Sequence, residues 1–284
     1  MVFKEGRRIR SQIPMEAITP FIMPTRCGAS NFFSASVSVD KCEELIRQKR
    51  AEGMKKFGMI HIFMTAYIRV ISQLPGINRF ISGQRLYARK NIEICMVMKK
   101  NKELNAPETV LKIEATPYET LDTVYNLLSD KIAENKIDGD SNATDTAARV
   151  LISLPSIMLR FTVWLLKIID YIGLLPRFLT KLSPFHGSMF ITNMGSLGMP
   201  PIFHHLYNFG NMPVFIAMGA KRTVTETDKD GNTLNRRVIN FNVTCDERIC
   251  DGHYYATAFK KLRRLIENPE QLLIPPKCVV EDIK

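Results

Sequence analysis

From Leu182 to Ala220 the chain runs without a single Asp, Glu, Lys or Arg, although 24% of its 284 residues are charged. A stretch that apolar has to leave water, yet five glycines and four prolines within it exclude a membrane-spanning helix. It is therefore predicted to lie inside a globular core as strands and tight loops. The length allows one large domain or two small ones. With 45% hydrophobic residues, 15 Gly and 15 Pro, the composition is ordinary for a globular protein and fits neither disorder, collagen-like repeats nor coiled coil.

Thirty-nine Lys and Arg against 28 Asp and Glu give a net charge of +11, which favours an anionic partner without choosing its class. The basic residues are dispersed and no recognised binding motif accompanies them, so nucleic-acid binding is not expected. Six cysteines, at positions 27, 42, 95, 245, 250 and 278, are widely spaced and form no C-x-x-C, which predicts reduced thiols and neither a zinc site nor a disulfide framework. Between Met1 and Arg10, Lys4, Arg7, Arg8 and Arg10 precede no apolar run, so no secretory leader is read there and a cytoplasmic protein is expected.

Hydrophobic periodicity marks the elements. Phe33, Ala35, Val37 and Val39 alternate with Ser34, Ser36 and Ser38, a half-buried strand, and Asp40 three residues before Glu43 reads as a capping box opening a helix. Ile60, Phe63, Tyr67, Val70, Ile71 and Leu74 recur at helical spacing until Pro75-Gly76 stops them, predicting a largely buried helix. Ile92, Ile94, Met96 and Met98 alternate with Glu93, Cys95 and Val97 as another strand, followed by a helix from about Tyr118 to Glu134. Residues 138–142, Asp-Gly-Asp-Ser-Asn, offer the one place for a linker. Lys221 to Thr244 reads as a hairpin turning at Asp230-Gly231, and a final helix runs from His253 to Ile266 before Asn268-Pro269. Strands and helices alternate irregularly, so the expectation is a single α/β or α+β sandwich on a mixed sheet.

Between Arg149 and Ser183 apolar runs are broken by Arg160, Lys167, Asp170, Arg177 and Lys181, with prolines at 155 and 176. The longest charge-free run, Val150 to Leu159, is far below the roughly 20 residues that span a bilayer. Two short amphipathic helices fit. Either they lie on a membrane surface, since five of the six charges from Arg149 onward are basic, or they form a subunit contact or a lid.

Two segments carry the chemistry: Phe190-Ile191-Thr192-Asn193-Met194-Gly195-Ser196-Leu197-Gly198, and Cys245-Asp246-Glu247-Arg248-Ile249-Cys250-Asp251-Gly252 with the helix that ends in Leu265-Ile266-Glu267-Asn268-Pro269-Glu270. Together, from Gly187 to Leu273, they resemble the acyltransferase catalytic domain of 2-oxo-acid dehydrogenase complexes and its relative chloramphenicol acetyltransferase. In that family a strand ends in T-I-S-N-x-G-x-x-G and D-H-R-x-x-D-G opens a helix that closes with L-E-N-P-E. More loosely, Ser36 to Asp40 and Ile77 to Phe80 resemble the family's first strand and an N/F-R turn. The resemblance implies a mixed-sheet, two-layer α/β sandwich over residues 1–284, with an apolar helical insertion at about 149–183. It implies further a homotrimer with active sites between subunits, and an acyl-coenzyme A co-substrate that meets a small acceptor, with no tightly bound cofactor and no metal.

Carried over by resemblance, Thr192 is the hydrogen-bond donor to the tetrahedral oxyanion, Asp251 an orienting and ion-pairing residue, and Asn193, Gly195, Arg248 and His253 line the substrate. A preorganised oxyanion donor is worth about 3 kcal/mol in such a reaction. Where the family has its proton-abstracting histidine, this chain has Glu247. An ordinary glutamate, with a pKa near 4.3, is a weak base at neutral pH. Either Glu247 takes over as the base, or the protein is a catalytically inactive homologue that serves as a trimeric scaffold or coenzyme A-binding protein. His253, next to Gly252, reads either as a substitute base or as an ordinary first-turn helix residue. His204-His205 are candidate ligands without a third partner, and Arg236-Arg237 with Lys260, Lys261, Arg263 and Arg264 either meet the phosphates of coenzyme A or form a solvated face.

Overall fold

Two hydrogen-bonded ladders organise the chain in the computed structural model, which describes residues 5–10, 13–99, 108–137, 143–227, 231 and 233–283. Strand β1 (Gly6–Arg8) and helix α1 (Pro14–Ile22) precede β2 (Ser30–Ser38), α2 (Asp40–Ala51) and α3 (Met59–Gln73). Four strands follow, β3 (Arg79–Ser82), β4 (Arg85–Arg89), β5 (Ile92–Lys99) and β6 (Glu108–Ala115), and then α4 (Leu121–Ile137). An arm of three helices, α5 (Ala143–Ile152), α6 (Ser156–Tyr171) and α7 (Arg177–Leu182), leads into β7 (Met189–Asn193), β8 (Val214–Thr227), β9 (Thr233–Asp246) and α8 (Gly252–Glu267). The large sheet has the order β2-β9-β8-β7-β5-β6, and a small antiparallel sheet the order β1-β4-β3. Within the large sheet β7 pairs parallel with both β5 and β8, while the outer pairs are antiparallel. The result is the mixed-sheet α/β sandwich expected from the sequence.

One face of the large sheet meets the helices. All of α3 except Ile60 and Gln73 is buried, because its apolar residues continue around the helix and it is enclosed by the sheet, α4 and α8. Met189, Ile191, Ile216, Met218, Phe241 and Val243 point into this layer, and Phe63 meets Phe241 edge to face at 5.6 Å. Strand alternation sends Cys95, Phe190 and Phe215 to the opposite face, where Leu206 and Met212 cover them.

The charge-free segment now has a physical account. Its two strands, β7 and β8, sit in the parallel middle of the sheet and are apolar on both faces, as interior parallel strands are. The chain between them, from Met199 to Pro213, lies as a strap over the second face: the Pro201 carbonyl accepts from Asn242 Nδ2 at 3.0 Å, the His204 carbonyl from the Thr244 hydroxyl, and the His204 ring stacks on Phe215 at 4.1 Å.

Three expectations need correction. Asp40 is not the cap of a capping box; its carboxylate accepts from the Ser38 hydroxyl at 2.9 Å and from the Arg237 amide at 3.0 Å, which ties the start of α2 to β9, and Val39 takes the cap position without a side-chain bond. The arm holds three helices instead of two, since Pro155 and Pro176 each start a new one. The hairpin is longer than read, pairing from Val214 and Cys245 out to Thr227 and Thr233. The linker expected at 138–142 and Asp230 of the turn lie outside the described residues.

His61, on the buried helix, accepts at Nδ1 from the Gly58 amide at 3.1 Å and stacks on Phe57 at 5.1 Å. Burial pushes its pKa down from 6.5 to about 4, so the folded protein holds it neutral. Between pH 6.5 and 4 the unfolded chain then binds the proton that the folded one refuses, and stability falls as the pH falls through that window. Urea titrations should show wild type losing about 3 kcal/mol more than His61→Gln across it; parallel pH profiles for the two proteins would contradict the assignment.

Candidate active site

The turn after β9 is built on a buried ion cluster. Arg248 grips the Asp246 carboxylate with Nε and Nη2, both at 2.7 Å, and gives Nη1 to the Met23 carbonyl at 3.0 Å. Arg26 approaches the same carboxylate at 3.6 Å and donates to the carbonyls of Tyr207 and Ile81. All three side chains are at most 5% exposed. Burial lowers the pKa of Arg26 to about 10, still far above neutrality, so the cluster carries two cations on one anion and relies on three carbonyls for the balance. The Tyr255 hydroxyl donates to the Asp246 carbonyl at 2.8 Å and pins the first turns of α8 to the same point.

On this base the motif residues take their places. Glu247 is half-buried; its amide donates to the Ala29 carbonyl at 3.0 Å and its Oε2 accepts from Asn31 Nδ2 at 2.8 Å. Asp251 is the N-cap of α8, accepting from the Tyr254 amide at 2.7 Å. His253 is exposed in the first turn of α8. The guanidinium of Arg248 is spent inside the protein, on Asp246 and Met23. At Asn31, the partner of Glu247, a cleft opens between the edge strand β2 and α8, walled by Phe33, Ala35, Tyr255 and Phe259, with Lys260 and Arg263 at its rim. Cys245 also lines it, but burial pushes its pKa up to about 12, so the cleft offers a thiol and no thiolate.

Thr192 lies elsewhere, at the end of β7 on the face turned away from the helices, half-buried and with no hydrogen-bond partner for its hydroxyl among the described residues. Asn193 is exposed and its carbonyl accepts from the Ser196 hydroxyl at 2.7 Å, closing a short turn. Gly195 lets that turn rest on β8: a Cβ there would stand 2.6 Å from the Gly219 carbonyl oxygen, and one on Gly219 would meet Pro201 at 2.4 Å. Thr192 pairs with Ala217, and Ala217 with Asn242. Glu247 is thus two strands across and five residues further along, roughly 20 Å away in the same chain. The structure gathers Glu247, Asp251 and Arg248 in one turn and Thr192, Asn193 and Gly195 in another, and does not join the two sets within one chain.

Asn31, Arg26 and Asp246 are the residues that sequence reading passed over. Asp246 stood in the motif beside Arg248, a signal for the pair, whereas nothing in the sequence around Arg26 or Asn31 announces a contact across more than 200 residues. His204 and His205 hold no metal-like arrangement with Cys, Asp or Glu among the described residues; the Nε2 of His204 is buried without a partner, and its pKa is lowered by burial. Of the basic residues named from sequence, Arg236 pairs with Glu226, Arg237 with Glu43 and Arg263 with Glu267.

The architecture is that of acyltransferase catalytic cores. The chain superimposes on a dihydrolipoamide acetyltransferase from Azotobacter vinelandii with a TM-score of 0.60 at 13% identity, covering 94% of this chain and 95% of that one. A probable dihydrolipoamide acetyltransferase from Listeria monocytogenes 4b F2365 gives 0.59 at 12%, covering 91% and 95%, and a chloramphenicol acetyltransferase 0.53 at 13%, covering 92% and 99%. Residues 180–274, which hold both motif segments, match the family model of the 2-oxoacid dehydrogenases acyltransferase catalytic domain. Comparison with curated proteins finds no match.

Replacing Asp246 by Asn leaves two buried guanidiniums without their counter-charge. The variant should lose about 3–5 kcal/mol in chemical denaturation; a loss under 1 kcal/mol would mean that the carbonyls alone hold the cluster.

Proposed function

We propose that the protein transfers an acyl group from an acyl-coenzyme A thioester to a small acceptor, in a homotrimer whose active sites form between subunits. The observation that carries this reading is the pair of half-sites: a carboxylate held by Asn31, which lines an apolar cleft, and a hydroxyl at a strand end that is unengaged among the described residues, each fixed by its own turn and roughly 20 Å apart in one chain. Only a second copy can bring a Glu247 to a Thr192. The strap supplies a surface for it, since Met199, Ile202, Phe203 and Tyr207 are exposed on it, Phe203 against Phe32 of β2 at 5.6 Å.

In this reading Glu247 removes the proton from the acceptor as it attacks the thioester carbonyl. The Asn31 amide fixes which carboxylate oxygen faces the acceptor, because it occupies Oε2 and leaves Oε1. Thr192 of the neighbouring copy donates to the oxyanion that forms, and collapse of the tetrahedral intermediate expels the coenzyme A thiolate, which is protonated on leaving. Lys260 and Arg263 at the cleft rim are placed to receive phosphate charge while the apolar wall takes the uncharged part of the donor. Asp251 acts through the helix it caps.

Thiol release from a panel of acyl-coenzyme A donors, with thiol, amine and hydroxyl acceptors, tests the reaction. Glu247→Gln should lower kcat about 100-fold or more and Thr192→Val by a similar factor, with KM little changed, while Glu247→His retains turnover. Sedimentation should give the mass of a trimer. A wild type that binds coenzyme A but turns nothing over, and gains activity only as Glu247→His, would replace this reading with that of a binding scaffold.

A further inference from the structure

Helix α6 is almost free of the body. Leu159, Thr162, Leu166, Ile169 and Asp170 form an inward, half-buried stripe, and no residue of the helix is fully buried. At 100° per residue the opposite side carries Ile157, Phe161, Trp164 and Ile168, with Ile157 83% exposed and Trp164 55% exposed. Arg160 and Lys167 run along one flank of that apolar face. Exposed apolar residues continue along the arm at Ile152 of α5, Leu174 between α6 and α7, and Phe178 of α7.

Charge says what covers this face. Arg149, Arg160, Lys167 and Arg177 are exposed and make no ion pair among the described residues. Asp170, the acid of α6, is turned inward, its Oδ1 3.0 Å from His186 Nε2 and its Oδ2 accepting from the Gly210 amide at 3.1 Å. Helix α6 therefore shows the outside a broad apolar face edged by Arg160 and Lys167. Contact between two copies of α6 would set these cations against each other with no exposed acid on the helix to meet them. Among the described residues no helix is long and apolar enough to cross a membrane; α6, at roughly 24 Å, is suited to lie along one.

We infer that the arm docks the protein onto an anionic lipid surface, with Ile157, Phe161, Trp164 and Ile168 among the acyl chains and Arg160 and Lys167 at the headgroups. Aromatic rings favour that depth, and each basic residue adds attraction to anionic lipid. His186 holds the base of the arm, since its second nitrogen lies 2.8 Å from the Ser183 hydroxyl at the end of α7. This inference is independent of the acyl-transfer reading.

Trp164 is the one tryptophan in the chain, so its emission reports this face directly. The full chain is titrated with vesicles of phosphatidylcholine alone and of phosphatidylcholine with phosphatidylglycerol, with and without brominated acyl chains. The expected result is a blue shift and quenching by brominated lipid on the anionic vesicles. Their midpoint should rise roughly 20–30-fold in Arg160→Gln/Lys167→Gln, whose changes are both exposed, and rise again at high salt. Ile157→Ser/Phe161→Ser should abolish the quenching while circular dichroism stays that of wild type. Emission that ignores lipid, or that shifts with protein concentration in its absence because the arm is covered by another copy, would overturn the inference; so would equal binding to neutral vesicles.

Discussion

The carboxylate of Asp246 is the point on which the arrangement of the site depends. It ends β9, and through Arg248 and Arg26 it reaches the segment after α1, the small sheet at Ile81, and the strap at Tyr207. Two of those connections, the one after α1 and the strap, are loops with little secondary structure to define their path, and the third is the short strand β3. A buried anion shared by two guanidiniums defines it by geometry, because planar donors accept few orientations that leave nothing unpaired. Glu247 follows directly in the chain, so the direction of its side chain is inherited from this buried cluster.

The same economy explains why the two halves of the site are so differently legible. Asp251 could be read as a helix start because capping is local: the residue and the amide it satisfies are three apart. The large sheet could be anticipated from the alternation at β2 and β5, and α3 from its spacing, since burial imprints a period on the sequence. The strands β1, β3, β4 and β6 left no such imprint; three are short, and β6 lies at the sheet's edge, where one ladder of hydrogen bonds suffices. Contacts such as Arg26 with Asp246 or Asn31 with Glu247 join residues whose neighbours in the sequence say nothing of each other.

The charge-free segment shows how far a negative pattern carries. Its lack of charge and its glycines required burial without a helix, and the structure meets both demands with two central parallel strands and the strap that joins them. Which carbonyl each buried polar group would find, Pro201 for Asn242 and His204 for Thr244, depended on a path that composition does not encode. In the arm the prolines counted for more than the apolar runs, dividing it into three helices where length suggested two.

The close approach of Gly195 to Gly219 has a consequence for anyone who searches this protein for reactive groups by loss of function. A Cβ on Gly195 would collide with the Gly219 carbonyl and one on Gly219 with Pro201 of the strap, and the turn at Gly195 begins one residue after Thr192. A library of random substitutions would therefore flag both glycines for the space they lack, whatever the side chain beside them does. What such a map would record at these two sites is thickness, the clearance between one strand end and the next.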